Sequence, residues 1–224
     1  ALGIAGTNLT VPHKETALEI CDDIDDTARR IGAVNTIVVQ ADGSLFGSNT
    51  DAYGFIENLK AESTWQASDG PAVILGAGGA ARAVVAALAA EGVADIRITN
   101  RTFERARTLA DLFGSACQPL DWSDAPESLR QSALLVNTTT LGMTGQPSLD
   151  IALDKLPVTA VVNDIVYAPL ETELLHLAGM RGNPVVDGLG MLLHQARPGF
   201  AAWYGCEPGV TLGLRKHILA DLIS

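Results

Sequence analysis

The chain has 224 residues, 47% of them hydrophobic and 18% charged, with a formal net charge of -11. That composition excludes a disordered chain, and the length suffices for one large domain or two small ones. The acidic balance argues against a nucleic-acid surface while leaving room for a local basic pocket that holds phosphate.

Cys21, Cys117 and Cys206 are odd in number and scattered. They lack CxxC spacing and neighbouring histidines, so no metal is expected, and a reduced cytoplasmic setting follows most simply. The stretch from Ala72 to Ala90 is nearly free of charge. Arg82 and a glycine-rich turn inside it argue against a membrane span, and no signal peptide or lipidation motif stands out. The chain begins at Ala1 rather than Met, inside what reads as a strand-to-loop unit, so a preceding segment is expected.

In chain order, Leu2 to Asn8 reads as a short strand that Pro12 keeps from extending. Lys14 to Ile20 reads as a helix and Asp22 to Arg30 as a further helical segment. Thr36 to Val39 and Ser44 to Gly47 form a hairpin around Asp42-Gly43, a good turn dipeptide. Tyr53 to Ala61 reads as a connecting helix. The polar run Glu62 to Gly70 marks a boundary between domains.

Beyond Pro71 strands and helices alternate, the signature of a parallel sheet covered on both faces. Strands are expected at Ala72 to Leu75, Asp95 to Thr99, Cys117 to Leu120, Ala133 to Asn137, Ala160 to Asp164 and Pro184 to Val186. Helices are expected at Ala80 to Glu91, Phe103 to Phe113, Ala125 to Gln131 and Leu170 to Arg181. Met191 to Tyr204 and Gly209 to Leu222 read as closing helices that return to the first domain. The expected organisation is therefore a first, partial domain over 1–62, a parallel-sheet domain over 63–188, and C-terminal helices over 189–224. The expected fold class is α/β, a Rossmann-type parallel-sheet domain with a smaller α/β domain that is incomplete at its N-terminus.

The chain is organised around Pro71 to Glu91, where an apolar strand meets a glycine cluster and then an alanine-rich helix. Gly76, Gly78 and Ala81 fit the G-x-G-x-x-G/A spacing: a tight turn, close backbone approach to a pyrophosphate, and close helix packing. The helix N-terminus then presents unpaired N–H groups to an anion.

The second strand of such a unit usually ends in a carboxylate that bonds an NAD ribose. Here it runs into Asn100-Arg101-Thr102, with Arg105 one helical turn further on. A neutral amide with guanidinium groups suits a 2'-phosphate, so NADP is favoured over NAD. As ordinary helix-start charges these arginines would oppose the helix dipole. Outside this region, Lys14 and Asp51 both stand at ends of expected strands. Reduction of a carbonyl needs a proton from the protein beside a hydride, and a lysine held by a carboxylate can supply one. On spacing alone, the pair reads as a surface lysine and a turn aspartate.

The motifs taken together resemble shikimate dehydrogenase. They are NLTVPHK at Asn8 to Lys14, GAVNT at Gly32 to Thr36, GSNTDAYG at Gly47 to Gly54, GAGGAARA at Gly76 to Ala83, NRT at Asn100 to Thr102, NTTTLGM at Asn137 to Met143 and DGLGMLLHQA at Asp187 to Ala196. The resemblance implies reversible NADPH-dependent reduction of 3-dehydroshikimate to shikimate, a step of aromatic amino-acid biosynthesis, by a monomer or homodimer with no membrane or nucleic-acid partner. It implies that Lys14 is the catalytic acid/base and Asp51 its partner, and that Thr10, Asn35, Tyr167 and Gln195 also bind substrate. Gly76, Ala77, Gly78, Gly79 and Ala80, with Asn100, Arg101, Thr102 and Arg105, would grip the cofactor, and Ile165 and Gly188 would flank its nicotinamide. It also implies a strand and a serine-bearing loop before Ala1 that hold the substrate carboxylate. Two alternatives stand beside this reading: a quinate/shikimate type with relaxed cofactor use, and a non-catalytic truncated relative.

Overall fold

The computed structural model describes residues 3–10 and 12–223, so Leu2, at the start of the first expected strand, and Val11 in the loop after it lie outside the described residues. The N-terminal lobe comprises β1 (Gly6–Asn8), α1 (His13–Ile20), β2 (Asp23–Ile24), α2 (Asp26–Ile31), β3 (Thr36–Val39), β4 (Leu45–Ser48) and α3 (Asp51–Glu62). There follow β5 (Ala72–Leu75), α4 (Gly79–Ala90), β6 (Ile96–Asn100), α5 (Phe103–Phe113), β7 (Cys117–Asp121), α6 (Ala125–Ser128) and β8 (Leu134–Asn137). The chain closes with β9 (Val161–Asp164), α7 (Glu173–Arg181), β10 (Val185–Val186), α8 (Leu189–Tyr204) and α9 (Leu212–Ile223).

Two sheets result. The smaller has the order β1-β3-β4-β2, with antiparallel pairs except for β2 beside β4. The larger is wholly parallel in the order β10-β9-β8-β5-β6-β7. From β5 outward the order reverses direction, the doubly wound arrangement whose ligand crevice opens at the switch point beyond the strand C-termini. That point lies between β5 and β8, directly at the glycine turn.

The central strand explains its own apolar run. Ala72 and Ile74 face the core cluster shared with α4 and α5, whereas Val73 and Leu75 face a second cluster with Leu135, Val162 and Leu174. A strand covered on both faces has no polar positions to alternate with. In α4, Ala81 and the run Ala83–Leu88 are buried, and their small side chains seat the helix close to the sheet.

Three elements differ from the sequence expectation. The Asp22 to Arg30 segment is not one helix: Ile24 pairs with Gly47 as a parallel strand and packs in the small lobe's core, and Asp25 then caps α2 by accepting from the Ala28 N–H at 2.5 Å. An N-cap carboxylate starts a new helix rather than continuing one. The helix expected from Ala125 is only four residues long, and Gln131 beyond it adopts a left-handed φ of 60°. The Leu170 segment becomes helical only at Glu173, after Thr172 caps it.

Candidate functional site

A cavity of about 430 Å³ lies between the lobes. Its walls include Thr10, Lys14 and Asp51 from the N-terminal lobe, Ala80, Ile165, Tyr167 and Gly188 from the nucleotide-type lobe, and Gln195 from α8. Residues from the two ends of the chain thus meet in one space of a size that suits a small polar ring compound.

Lys14 sits in the first turn of α1, and Asp51 opens α3, where a carboxylate complements the helix dipole. Lys14 Nζ donates to Asp51 Oδ2 at 2.6 Å, with the two side chains 25% and 17% exposed. The pair is reachable from the cavity yet is no surface ion pair, and the lysine keeps donors free for a ligand.

Asn35, 1% exposed, stands behind that pair and fixes it. Its Oδ1 accepts from the Thr50 backbone N–H at 2.8 Å, as well as from the Thr36 and Thr50 hydroxyls. A backbone N–H can only donate, so the amide must turn its oxygen that way. Nδ2 therefore faces the cavity side, donating to Asp51 Oδ1 at 2.8 Å and to Gln195 Oε1 at 3.2 Å. Each Asp51 oxygen has a donor, and Gln195 is tied to the same amide. Asn35 is thus the shared support of the group, buried behind the cavity wall.

The helices carrying Asp51 and Gln195 cross closely. A Cβ on Gly54 would lie 2.6 Å from Gln195 Cβ and 2.7 Å from the Met191 carbonyl oxygen; one on Gly190 would strike Asn58 Oδ1. Asn58, also buried, donates from Nδ2 to the Asp187 carbonyl at 2.8 Å. This crossing sets the spacing between the two sides of the cavity.

On the far side of the first turn of α4 lies a larger cavity of about 800 Å³, lined by Ala77, Gly78, Gly79, Arg82 and Arg105. Gly76 turns with φ +110°, and a Cβ there would lie 2.7 Å from Thr138 Oγ1, so the turn admits glycine alone. At Gly78 and Gly79 an added Cβ would meet nothing within 4 Å, which leaves open room where a phosphate group approaches backbone. Of the expected 2'-phosphate group, Arg105 lines this cavity; Asn100, Arg101 and Thr102 are not part of its lining, Arg101 and Thr102 being exposed and Asn100 Nδ2 donating to the Thr102 carbonyl at 2.9 Å. These features fit a phosphorylated dinucleotide lying across α4's N-terminus, with Ala80 the step from one cavity to the other.

The loop after β9 carries Ile165 and Tyr167. Asp164 at its root is buried, accepting from Asn137 Nδ2 at 3.0 Å, the Val166 N–H at 3.0 Å and the Thr172 hydroxyl at 2.7 Å. Burial pushes its carboxyl upward from the ordinary 3.8, and those three hydrogen bonds oppose the shift. Tyr167 is 38% exposed at the cavity mouth, so it is not a core residue. Met191 and Leu192 line the cavity too, and nothing in the sequence separates them from ordinary apolar positions of α8. Among the described residues no group of three His, Cys, Asp or Glu could hold a metal ion, and no helix is long and apolar enough to cross a membrane.

Comparison with known proteins supplies the context. Residues 1–37 match the shikimate dehydrogenase substrate binding domain, and residues 59–143 match the shikimate/quinate 5-dehydrogenase domain. The shikimate dehydrogenase (NADP(+)) of Paramagnetospirillum magneticum is 60% identical over 220 residues, 98% of this chain and 80% of that one. That of Rhodospirillum rubrum is 56% identical, covering 98% of this chain and 79% of its own. Among solved structures, quinate dehydrogenase from Corynebacterium glutamicum in complex with NAD superimposes with a TM-score of 0.90 at 33% identity, covering 98% and 79% of the two chains. Shikimate 5-dehydrogenase from Thermus thermophilus, in complex with NADP(H) and shikimate, does so with a TM-score of 0.82 at 41% identity, covering 93% and 76%.

Proposed function

Because the chain belongs to the shikimate dehydrogenase family, we propose that it catalyses the reversible, NADPH-dependent reduction of 3-dehydroshikimate to shikimate, serving aromatic amino-acid biosynthesis in the cytoplasm as a monomer or homodimer. The observation that carries this reading is the 2.6 Å Lys14–Asp51 pair facing a cavity whose opposite wall is Ala80, Ile165 and Gly188. The N-terminal lobe, residues 1–62, presents the substrate groups; residues 63–188 hold the cofactor; residues 189–224 return Gln195 to the substrate side.

NADPH supplies the hydride. It would be held by Gly76, Ala77, Gly78, Gly79 and Ala80 along its pyrophosphate, and by Asn100, Arg101, Thr102 and Arg105 around its 2'-phosphate. Ile165 and Gly188, which line the smaller cavity, would flank the nicotinamide with apolar and backbone surface. Lys14 delivers a proton to the oxygen of the carbonyl as it becomes a hydroxyl, and in the reverse direction takes that proton back. Asp51 holds the lysine by one oxygen and takes the Asn35 amide on the other, so the donor is aimed before substrate arrives. Thr10, Tyr167 and Gln195 complete the reading of a ring bearing several hydroxyls, for which neutral donors and acceptors discriminate well, while Asn35, expected from the motif to bind substrate, is buried behind the wall and acts by holding Asp51 and Gln195.

Lys14→Ala tests the assignment. Turnover is expected to fall below detection while NADPH binding, followed by cofactor fluorescence, stays within about twofold of the parent, because Lys14 lies outside the larger cavity. Unchanged turnover would refute the role. Quinate/shikimate use with NAD is the second reading, favoured by the 0.90 TM-score to the quinate enzyme. Initial rates with NADPH and NADH, and with shikimate and quinate, separate the two.

A further inference from the structure

The C-terminal helix has no part in the scheme above, yet one of its side chains reaches the reaction cavity's wall at one remove. Asp187 and Gly188 form the link between β10 and α8, and Gly188 lines the cavity. The Asp187 carboxylate is engaged at both oxygens: Oδ1 accepts the Leu189 N–H at 3.0 Å, and Oδ2 takes the Arg215 guanidinium from α9. Both side chains of this ion pair are about four-fifths buried, at 19% and 20% exposed. The same residue's carbonyl receives Asn58 Nδ2 from α3. The peptide before Gly188 is therefore held from α3, α8 and α9 together.

Gly188 has no freedom to absorb a displacement of that peptide. A Cβ on it would lie 2.2 Å from the Ile165 carbonyl oxygen, so its backbone rests directly on the β9 loop. Movement at Asp187 passes straight to Gly188 and Ile165, two walls of one cavity.

We propose that Arg215 is a positioning residue of the reaction site: by its ion pair with Asp187 it fixes the Gly188 peptide against Ile165 and so shapes the surface on which the nicotinamide packs. This rests on the proposed function and extends it to α9. A partly buried guanidinium on a carboxylate confers geometry as well as charge, because its fork restricts the angle of approach.

The test compares Arg215→Ala, Arg215→Lys and Asp187→Asn in the full chain. For Arg215→Ala the dissociation constant for NADPH is expected to rise about tenfold, with the KM for 3-dehydroshikimate within about twofold of the parent. Hydrogen exchange without cofactor is expected to speed up in residues 186–192. Arg215→Lys should recover part of the affinity, and Asp187→Asn should match Arg215→Ala, the double variant being no worse than either single one. Parent-like NADPH affinity and parent-like exchange at 186–192 in Arg215→Ala would overturn the proposal. So would a fall in melting temperature with affinity unchanged, since that marks α9 as structural only. Should Arg215→Ala fail to fold, Asp187→Asn and Arg215→Lys decide alone, and parent-like affinity in both would overturn it. A parent chain that binds NADPH but does not reduce 3-dehydroshikimate would sink the proposed function and leave this inference to the binding and exchange data.

Discussion

The crossing of α3 and α8 offers a sharp test of how the cavity is held, because one methyl group has opposite consequences in two helices. In Gly54→Ala the new Cβ would stand 2.6, 2.7 and 2.8 Å from Gln195 Cβ, the Met191 oxygen and the Gln195 nitrogen. Two of those atoms are backbone, so the helices must separate by about 0.8 Å to reach ordinary contact near 3.4 Å. Alanine would itself favour the helix by up to about 1 kcal/mol. Overpacking costs about 1–3 kcal/mol, so a net loss of roughly 1–2 kcal/mol and a fall in Tm of about 2–8 °C are expected. The shift moves Gln195 away from Asn35, and misplacement on this scale lowers kcat/KM for 3-dehydroshikimate by roughly 10–100-fold. Gly179→Ala in α7 is the control: an added Cβ there meets nothing within 4 Å. It should raise Tm by about 1–4 °C with unchanged kinetics. Calorimetry and steady-state rates on the two variants decide the matter. If Gly54→Ala is as stable and active as Gly179→Ala, the close crossing does not set the site.

Arg101→Ala and Arg105→Ala should each raise the KM for NADPH by roughly 10–100-fold, the worth of a charge-assisted bond to phosphate, and leave the KM for NADH nearly unchanged. Equal losses with both cofactors in steady-state assays would remove the 2'-phosphate assignment. Asp164→Asn probes a buried carboxyl whose folded-state pKa is raised chiefly by burial. Its favourable contribution is therefore complete below the ordinary 3.8 and lost as pH rises through the raised value, since the folded state holds the proton more tightly than the unfolded one. Melting curves across acid and neutral pH should show the parent's advantage over Asp164→Asn largest in acid and shrinking upward; a constant difference would contradict the raised pKa.

What was legible from sequence follows from how each feature is encoded. The six parallel strands and the turn at Gly76 are local: an apolar run, a glycine forced by φ +110°, and an alanine-rich helix lie within one short stretch of chain. Lys14, Asp51, Tyr167, Ile165, Gly188 and Gln195 were legible only as members of motifs, and the fold brings all six to the wall of one cavity. Composition and spacing alone left Lys14 and Asp51 as an ordinary surface pair. β2 was missed because two residues carry no periodicity and their strand character comes from pairing with β4 across the chain. Asn58 and Arg215 were illegible for a related reason, and the motifs that contain Gly54 and Gly190 do not say what those two glycines do. Each acts through contacts with residues far along the chain, and nothing local distinguishes a glycine that admits a crossing helix from a poor helix former.

The placement of buried polar groups connects these observations. Asn35, Thr36 and Thr50 lie behind the Lys14–Asp51 pair, Asn137, Asp164 and Thr172 at the root of the Ile165 loop, and Asn58 at the Asp187 peptide. Burying such groups is unfavourable unless each finds partners, and a satisfied network tolerates few alternative geometries. An apolar filling makes no directional contacts, whereas each hydrogen bond in these networks ties a loop end to one geometry. These polar networks stand where strand ends aim a side chain or backbone group at the cleft, whereas other buried polar residues such as Ser128, Ser132 and Asn183 satisfy nearby carbonyls elsewhere in the nucleotide-type lobe. Placement behind the wall lets Lys14 and Asp51 remain open to the cavity. Their geometry is enforced from behind by Asn35, whose own orientation is fixed by a backbone N–H that admits only one choice.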